Sequence, residues 1–80
     1  MYKVKNIKHL TNWIAKNSTS DIETEKAILM LQKSIYVYKI DKNKDRLIKF
    51  VQDKLRNEDL FAEHYVLSAK AFLKYTKSEI

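Results

Sequence analysis

The most apolar segment of the chain is residues 27–40, AILMLQKSIYVYKI. On a helix, one apolar stripe of this segment contains Ala27, Ile28, Leu31, Ile35 and Tyr38. A second stripe lies on nearly the opposite side and contains Ile22, Leu29, Tyr36 and Ile40. Because a helix that is apolar on two sides is normally covered on both, the pattern predicts a central helix around which the others pack.

The periodicity of the chain predicts four helices joined by short polar segments. Their predicted ranges are about 4–17, 21–40, 46–56 and 58–77. Short connections between four helices imply an antiparallel four-helix bundle, and we expect one all-α domain over residues 1–80. Residues 34–40 are rich in β-branched and aromatic side chains, which also suit a strand. We favour a helix there because no partner strand is predicted elsewhere.

Polar residues mark the predicted helix ends. Ser20 followed by Glu23 fits a capping box, in which each side chain bonds the backbone N–H of the other residue. Asp45 is the predicted N-cap of the third helix, and Asn57 that of the fourth. Acidic residues in the first turn of the fourth helix and lysines in its last turns also suit the helix dipole.

Apolar residues at helical spacing define the predicted core faces of the other three helices. In the first helix they are Val4, Ile7, Leu10, Thr11 and Ile14. In the third helix they are Leu47, Ile48, Val51 and Leu55, with Phe50 on the flank. In the fourth helix they are Leu60, Phe61, Leu67, Ala71, Phe72 and Tyr75, with His64 and Ser68 in the same arc.

Composition narrows the classes of function. The chain contains no Cys, Gly or Pro, which excludes disulfides, thiolate chemistry and glycine-rich phosphate-binding loops. Neither His9 nor His64 has metal-ligand spacing, so we expect no metal and no cofactor. His64 falls on the apolar arc whereas Glu63 does not, and the two do not face one partner. We therefore predict that the protein is not an enzyme.

No signal-peptide core and no membrane span is apparent in the sequence. The N-terminal residues MYKVKNIKHL lack an apolar region, and no apolar run approaches the length that crosses a bilayer. We expect a cytoplasmic location. The net charge of +6 also favours association with anionic surfaces, so the inner face of the membrane is a second expected place.

A basic and aromatic face is predicted on the first helix. It contains Tyr2, Lys5, His9, Trp13 and Lys16. Interleaved cations and rings suit stacking on nucleic acid with phosphate contacts, or the membrane–water interface. The structural alternative is that Trp13 folds over the edge of the core with solvated lysines beside it.

An apolar strip is predicted on the fourth helix, roughly opposite its core face. It contains Ala62, Val66, Ala69 and Leu73. With Lys70 and Lys74 alongside, such a strip would dock on a protein, a lipid headgroup layer or another copy of the chain. The alternative is that the bundle wraps far enough around this helix to cover the strip.

The third helix raises the possibility of DNA binding through a helix-turn-helix motif. Its basic and amide side chains are Arg46, Lys49, Gln52, Lys54 and Arg56. They suffice for phosphate contacts, but the segment lacks the glycine-containing turn and the sequence-reading pattern of a recognition helix.

The order of residues resembles a known family. Residues 28–42, ILMLQKSIYVYKIDK, resemble the second-helix segment of immunity proteins against pediocin-like bacteriocins, particularly the enterocin A type. RLIKFV (46–51) is similar to that family's third helix, and IKHLTNWI (7–14) is similar to its first. NEDLFAEHYVLSAKAFL (57–73) resembles the segment that leads into its last helix. These matches cover most of the chain.

The resemblance implies a cytosolic four-helix bundle that protects the producing bacterium. Such proteins are understood to recognise, from inside the cell, a bacteriocin-occupied permease of the mannose phosphotransferase system. Their C-terminal half tends to set which bacteriocin is recognised. By region, the resemblance implies that the contact residues are Val66, Ala69, Lys70, Leu73, Lys74 and Lys77.

Two other functions stay open at this point. The first is a small basic nucleic-acid-binding or phage-type regulatory protein, which the net charge and the face from Tyr2 to Lys16 would serve. The second is a dimeric interaction module that buries Val66 and Leu73. For the immunity protein itself, we expect a monomer or a weak dimer, with an anionic membrane surface as an additional contact.

Overall fold

The computed structural model describes the backbone of residues 3–79 and the side chains of residues 8–77. Its elements are α1 (Lys3–Asn17), α2 (Asp21–Ile40), α3 (Lys44–Leu55), a 3₁₀ turn (Glu58–Leu60) and α4 (Glu63–Glu79). Over residues 3–79 there is no β-strand, and residues 34–40 are helical. The predicted all-α four-helix bundle is confirmed.

The start and end of α2 are fixed by local hydrogen bonds. Ser20 is its N-cap, as predicted, and its Oγ accepts a bond from the N–H of Glu23 at 3.2 Å. At the other end, Lys44 Nζ donates to the carbonyl oxygens of Tyr38 (2.8 Å) and Asp41 (3.0 Å). A cation at this end also suits the helix dipole. The predicted limits of α2, 21–40, are therefore confirmed.

The third helix begins two residues earlier than predicted. Its N-cap is Asn43, whose Oδ1 accepts a bond from the N–H of Arg46 at 3.1 Å. The prediction of Asp45 as N-cap was wrong, and Asp45 lies instead in the first turn, where its charge suits the helix dipole. The helix ends at Leu55, one residue before the predicted limit. Asn and Asp are both good N-caps, so the sequence alone did not separate the two positions.

The fourth helix begins at Glu63, not at residue 58 as predicted. Asn57 precedes the 3₁₀ turn but makes no side-chain capping bond, and Phe61 has extended backbone angles (φ −116°, ψ 157°). Because an extended residue interrupts the helical hydrogen bonds, the acidic residues 58 and 59 stand outside α4. Leu60 is consequently 80% exposed and does not belong to the core. The ring of Phe61 stacks on that of Tyr65, with centroids 4.8 Å apart.

The core is built from three of the four helices. Its buried apolar residues are Leu10 and Ile14 of α1, Ala27, Leu31, Ile35 and Tyr38 of α2, and Leu67, Ala71, Phe72 and Tyr75 of α4. The predicted stripe of α3 is only half-buried, and its residues Leu47, Ile48 and Val51 pack against the edge of this core. The Tyr38 ring meets the rings of Phe72 and Tyr75 edge-on, at 5.6 and 6.1 Å.

The central helix is α4, not α2. It packs against α1, α2 and α3, whereas the second apolar stripe of α2 faces solvent, with Leu29 58% and Tyr36 67% exposed. The expectation that α2 is covered on both sides was therefore wrong. Small buried residues of α4, Ser68 and Ala71 among them, let its neighbours approach on several sides. No helix within residues 3–79 combines the length and the hydropathy needed to cross a bilayer.

Candidate interaction surfaces

The first candidate surface is a shallow cleft of about 250 Å³ between α1 and α4. Its lining residues are Trp13 from α1 and Lys70, Leu73, Lys74 and Lys77 from α4. The four α4 residues share one side of the helix because they are spaced three or four positions apart. We call this surface the cationic cleft.

The aromatic wall of the cationic cleft is the ring of Trp13. The side chain is half-buried and packs against the core. Lys74 Nζ lies 5.1 Å from the centroid of the ring, within the range of a cation–π interaction. Lys70 Nζ lies 3.6 Å from Glu58 Oε1, so its charge is partly balanced. The cleft therefore combines an apolar wall with three lysines, of which Lys70 contacts a carboxylate and Lys74 contacts the ring.

The structure divides the predicted contact residues of the fourth helix into two groups. Lys70, Leu73, Lys74 and Lys77 line the cationic cleft. Ala69 is buried at 8% exposure, and Val66 is half-buried. The predicted apolar strip is therefore only partly covered by the neighbours of α4: Ala62 is exposed, Val66 and Leu73 are half-buried, and Ala69 is buried. The dimer hypothesis, which concerns Val66 and Leu73, stays a prediction.

The basic and aromatic face of the first helix is only partly described. His9 and Lys16 are exposed, while Trp13 joins the cationic cleft. Tyr2 lies outside the described residues, as does the side chain of Lys5. From the sequence, Trp13 and the lysines of the fourth helix were assigned to two separate surfaces. The pattern of one helix does not show which helix lies beside it, so the contact between Trp13 and these lysines could not be predicted.

The N-termini of α2 and α4 are joined by reciprocal hydrogen bonds. Glu23 Oε1 accepts from the backbone N–H of His64 at 3.0 Å, and His64 Nδ1 lies 2.9 Å from the same oxygen. Glu63 accepts bonds from the backbone N–H (2.6 Å) and the hydroxyl (2.7 Å) of Thr19. Glu23 thus satisfies a backbone N–H group that the start of α4 leaves unpaired, and Glu63 holds the residue that precedes the N-cap of α2. We call these four residues the α2–α4 junction.

The α2–α4 junction gives Glu23 and His64 a structural role. The hydrogen bond from His64 lowers the pKa of Glu23 below its ordinary value of 4.5. Since an ionised carboxylate only accepts hydrogen bonds, His64 Nδ1 carries the proton in this contact. The second half of the predicted capping box does not form, because Glu23 is directed to α4. Glu63 and His64 contact different partners, as predicted.

A second candidate surface lies along α2 and was missed by the sequence reasoning. A groove of about 240 Å³ runs between α2 and α3 with α4 as its floor, and Met30, Val37, Phe50 and Ala69 are among its lining residues. A wider hollow of about 550 Å³ adjoins it along the outer side of α2, lined by Leu29, Met30, Gln32, Lys33, Tyr36 and Val37. We call the two together the α2–α3 groove.

The sequence did contain a signal for this second surface. The buried stripe of α2, through Ala27 and Leu31, carries no charge. The outer stripe is interrupted by Lys26 and Lys33 at positions between its apolar residues. Because an unpaired charge is costly to bury, lysines within an apolar stripe indicate that this side faces solvent.

Comparison with models of protein families, with curated proteins and with solved structures gave no match. Within the described part of the chain, no three His, Asp or Glu side chains come together as a metal site would require. Proposals about function therefore depend on the two surfaces and on the resemblance of the sequence.

Proposed function

We propose that this chain is an immunity protein of the pediocin-like bacteriocin type. It protects the producing cell by binding a bacteriocin-occupied permease of the mannose phosphotransferase system from the cytosolic side. It acts by binding and not by catalysis. The proposal is supported by the segment matches over residues 7–73 and by the four-helix bundle that the resemblance implies.

The cationic cleft is the observation that carries the proposal. It is built from α4, which lies in the C-terminal half of the chain that the resemblance associates with recognition, and it adds Trp13 from α1. A large ring beside Leu73 supplies apolar contact area of the kind that dominates binding energy at interfaces. The surrounding lysines favour the approach to an anionic membrane surface. The cleft thus suits a protein partner at the inner face of a membrane.

Nucleic-acid binding is less well supported by this geometry. Bases stack on rings whose faces are open, whereas Trp13 is half-buried and has Lys74 over its ring. A base would have to displace that lysine before it could stack. We therefore retain nucleic-acid binding only as an outcome that salt-dependent binding assays would reveal.

The test is a protection assay in a pediocin-sensitive strain that expresses the full chain, challenged with a panel of class IIa bacteriocins. We expect protection against at least one of them. Lys77→Glu reverses a charge in the cationic cleft and should reduce that protection at equal protein level. Lys42→Glu makes the same change at an exposed position in the α2–α3 connection and should leave protection intact.

Two results would contradict the proposal. Absence of protection by the unaltered chain against every bacteriocin in the panel would remove the immunity function. Equal protection by Lys77→Glu and the unaltered chain would remove the cationic cleft from the mechanism.

A further inference from the structure

We propose that the α2–α3 groove binds an amphipathic helix with an acidic polar face, presented by a partner protein. This site lies on a different side of α4 from the cationic cleft and shares no lining residue with it, and it would add a second interaction to the proposed function. Three properties of the groove support the proposal: its shape, its charge and its unsuitability for pairing with a parallel second copy.

The shape of the groove suits inserted side chains. It is a concave channel between two helices, with Ala69 and Phe72 of α4 in its floor. Met30 and Val37 line both the channel and the outer hollow, so the two form one continuous surface. These two residues are two helical turns apart, about 10 Å along the α2 axis. That spacing matches apolar side chains at positions i and i+7 of a bound helix.

The charge of the groove selects an acidic partner. Lys33 is the one charged side chain among the described residues that line either part. On the α3 side, Lys54 Nζ lies 5.1 Å from the ring centroid of Phe50, and Phe50 itself lines the channel. Cations therefore flank an apolar channel on both helices. An incoming helix with carboxylates beside its apolar residues would complement both.

A second copy of the chain aligned in parallel fits this surface poorly. Lys26 and Lys33 are exposed within the outer stripe of α2, about one turn on either side of Leu29. Pairing two α2 helices in parallel through this stripe would place each of these lysines beside the same lysine of the other copy. Like charges in such contacts are unfavourable. A lipid surface also fits less well, because the floor residues of a concave channel do not reach a flat bilayer.

The test is a titration of the full chain, labelled with ¹⁵N, with synthetic peptides followed by NMR. The probe is a helical peptide of about five turns with leucines along one face and glutamates elsewhere. One control peptide has lysine in place of glutamate. A second control has the composition of the probe in an order that scatters the leucines around the helix.

We expect saturable binding of the acidic amphipathic peptide, with chemical-shift changes centred on Met30, Val37 and Phe50. Both control peptides should bind at least about tenfold more weakly. Val37→Asp introduces a carboxylate at the junction of channel and hollow and should weaken binding of the probe by about tenfold or more. Leu60→Asp is the matched control, since Leu60 is exposed and lies outside the groove, and it should bind the probe normally.

Four outcomes would overturn the proposal. The first is equal affinity for the scattered peptide, which would mean attraction by net charge alone. The second is a shift pattern centred on Trp13 and Leu73. The third is the absence of peptide binding while vesicles of phosphatidylglycerol shift the groove resonances. The fourth is a concentration-dependent dimer that buries the groove. Thermal unfolding of both variants verifies that they fold, and none of these readouts depends on protection against a bacteriocin.

Discussion

Helices α2 and α4 have apolar residues on more than one side, yet only α4 is enclosed by the bundle. Three helices pack against α4, and its buried residues include the small Ser68 and Ala71. The outer side of α2 carries large side chains such as Leu29 and Tyr36, with lysines between them. The comparison teaches that apolar residues alone do not identify a central helix. Side-chain size and the position of lysines distinguish the helix that is enclosed from the helix that is not.

The difference extends to what each helix can contribute to function. The side chains of α4 are mostly committed to packing, and its exposed contribution is the lysine side of the cationic cleft. Helix α2 uses one face for the core and leaves the other exposed. Exposed apolar surface of this kind often marks an interaction site. The fold therefore does not depend on the outer face of α2, whereas it does depend on the packed faces of α4.

The largest expected effect comes from removing a buried ring of α4. Tyr75→Ala should destabilise the protein by about 3–5 kcal/mol, because it leaves a cavity at a fully buried position. The matched substitution Tyr36→Ala on the exposed side of α2 should cost about 0.5 kcal/mol or less. Urea unfolding followed by circular dichroism measures both. Comparable losses for the two variants would contradict the assignment of α4 as the central helix.

Most of the fold could be predicted from the sequence because helical periodicity is a local property. The limits of α2 and the buried stripe through Ala27 and Leu31 follow directly from apolar spacing and the Ser20 cap. The start of α4 did not, because it depends on Glu23, which is distant in sequence and caps the N–H of His64. Helix ends that are determined by contacts with another helix cannot be predicted from the local sequence pattern.

The candidate surfaces were less predictable than the fold. Lys70 and Leu73 were expected to belong to a binding surface and do line the cationic cleft. Ala69 was expected to be exposed but is buried, because exposure depends on which helix is central. Packing among all four helices determines which helix is central, and the pattern of any single helix does not predict it.

An intermediate effect is expected at the α2–α4 junction, and it should depend on pH. The hydrogen bond from His64 holds the pKa of Glu23 below 4.5 in the folded protein, so on acidification the unfolded chain takes up this proton first. The stability that the Glu23 carboxylate contributes is therefore present above about pH 4.5 and is lost as the pH falls through the lower folded pKa. Glu23→Gln keeps an acceptor for the His64 N–H but removes the charge.

Urea unfolding at several pH values between about 3 and 7 checks this prediction, because this range includes the ordinary pKa values of carboxyl groups. Glu23→Gln should be less stable than the unaltered chain at neutral pH, and the two should converge on acidification. Glu25→Gln, at an exposed position in the same part of α2, is the control and should change the pH profile less. A constant difference between Glu23→Gln and the unaltered chain over this range would show that the charge of Glu23 is not involved.

The smallest expected effect on stability comes from the outer face of α2. Leu29→Gln should change the free energy of unfolding by about 0.5 kcal/mol or less, because the side chain is more than half exposed. Leu31→Gln, two positions along the same helix, should be strongly destabilising because Leu31 is fully buried. Titration of Leu29→Gln with the acidic amphipathic peptide then separates the two roles of α2. Weaker binding with unchanged stability would mean that the outer stripe serves a partner, whereas a loss of stability like that of Leu31→Gln would mean that the fold covers Leu29 after all.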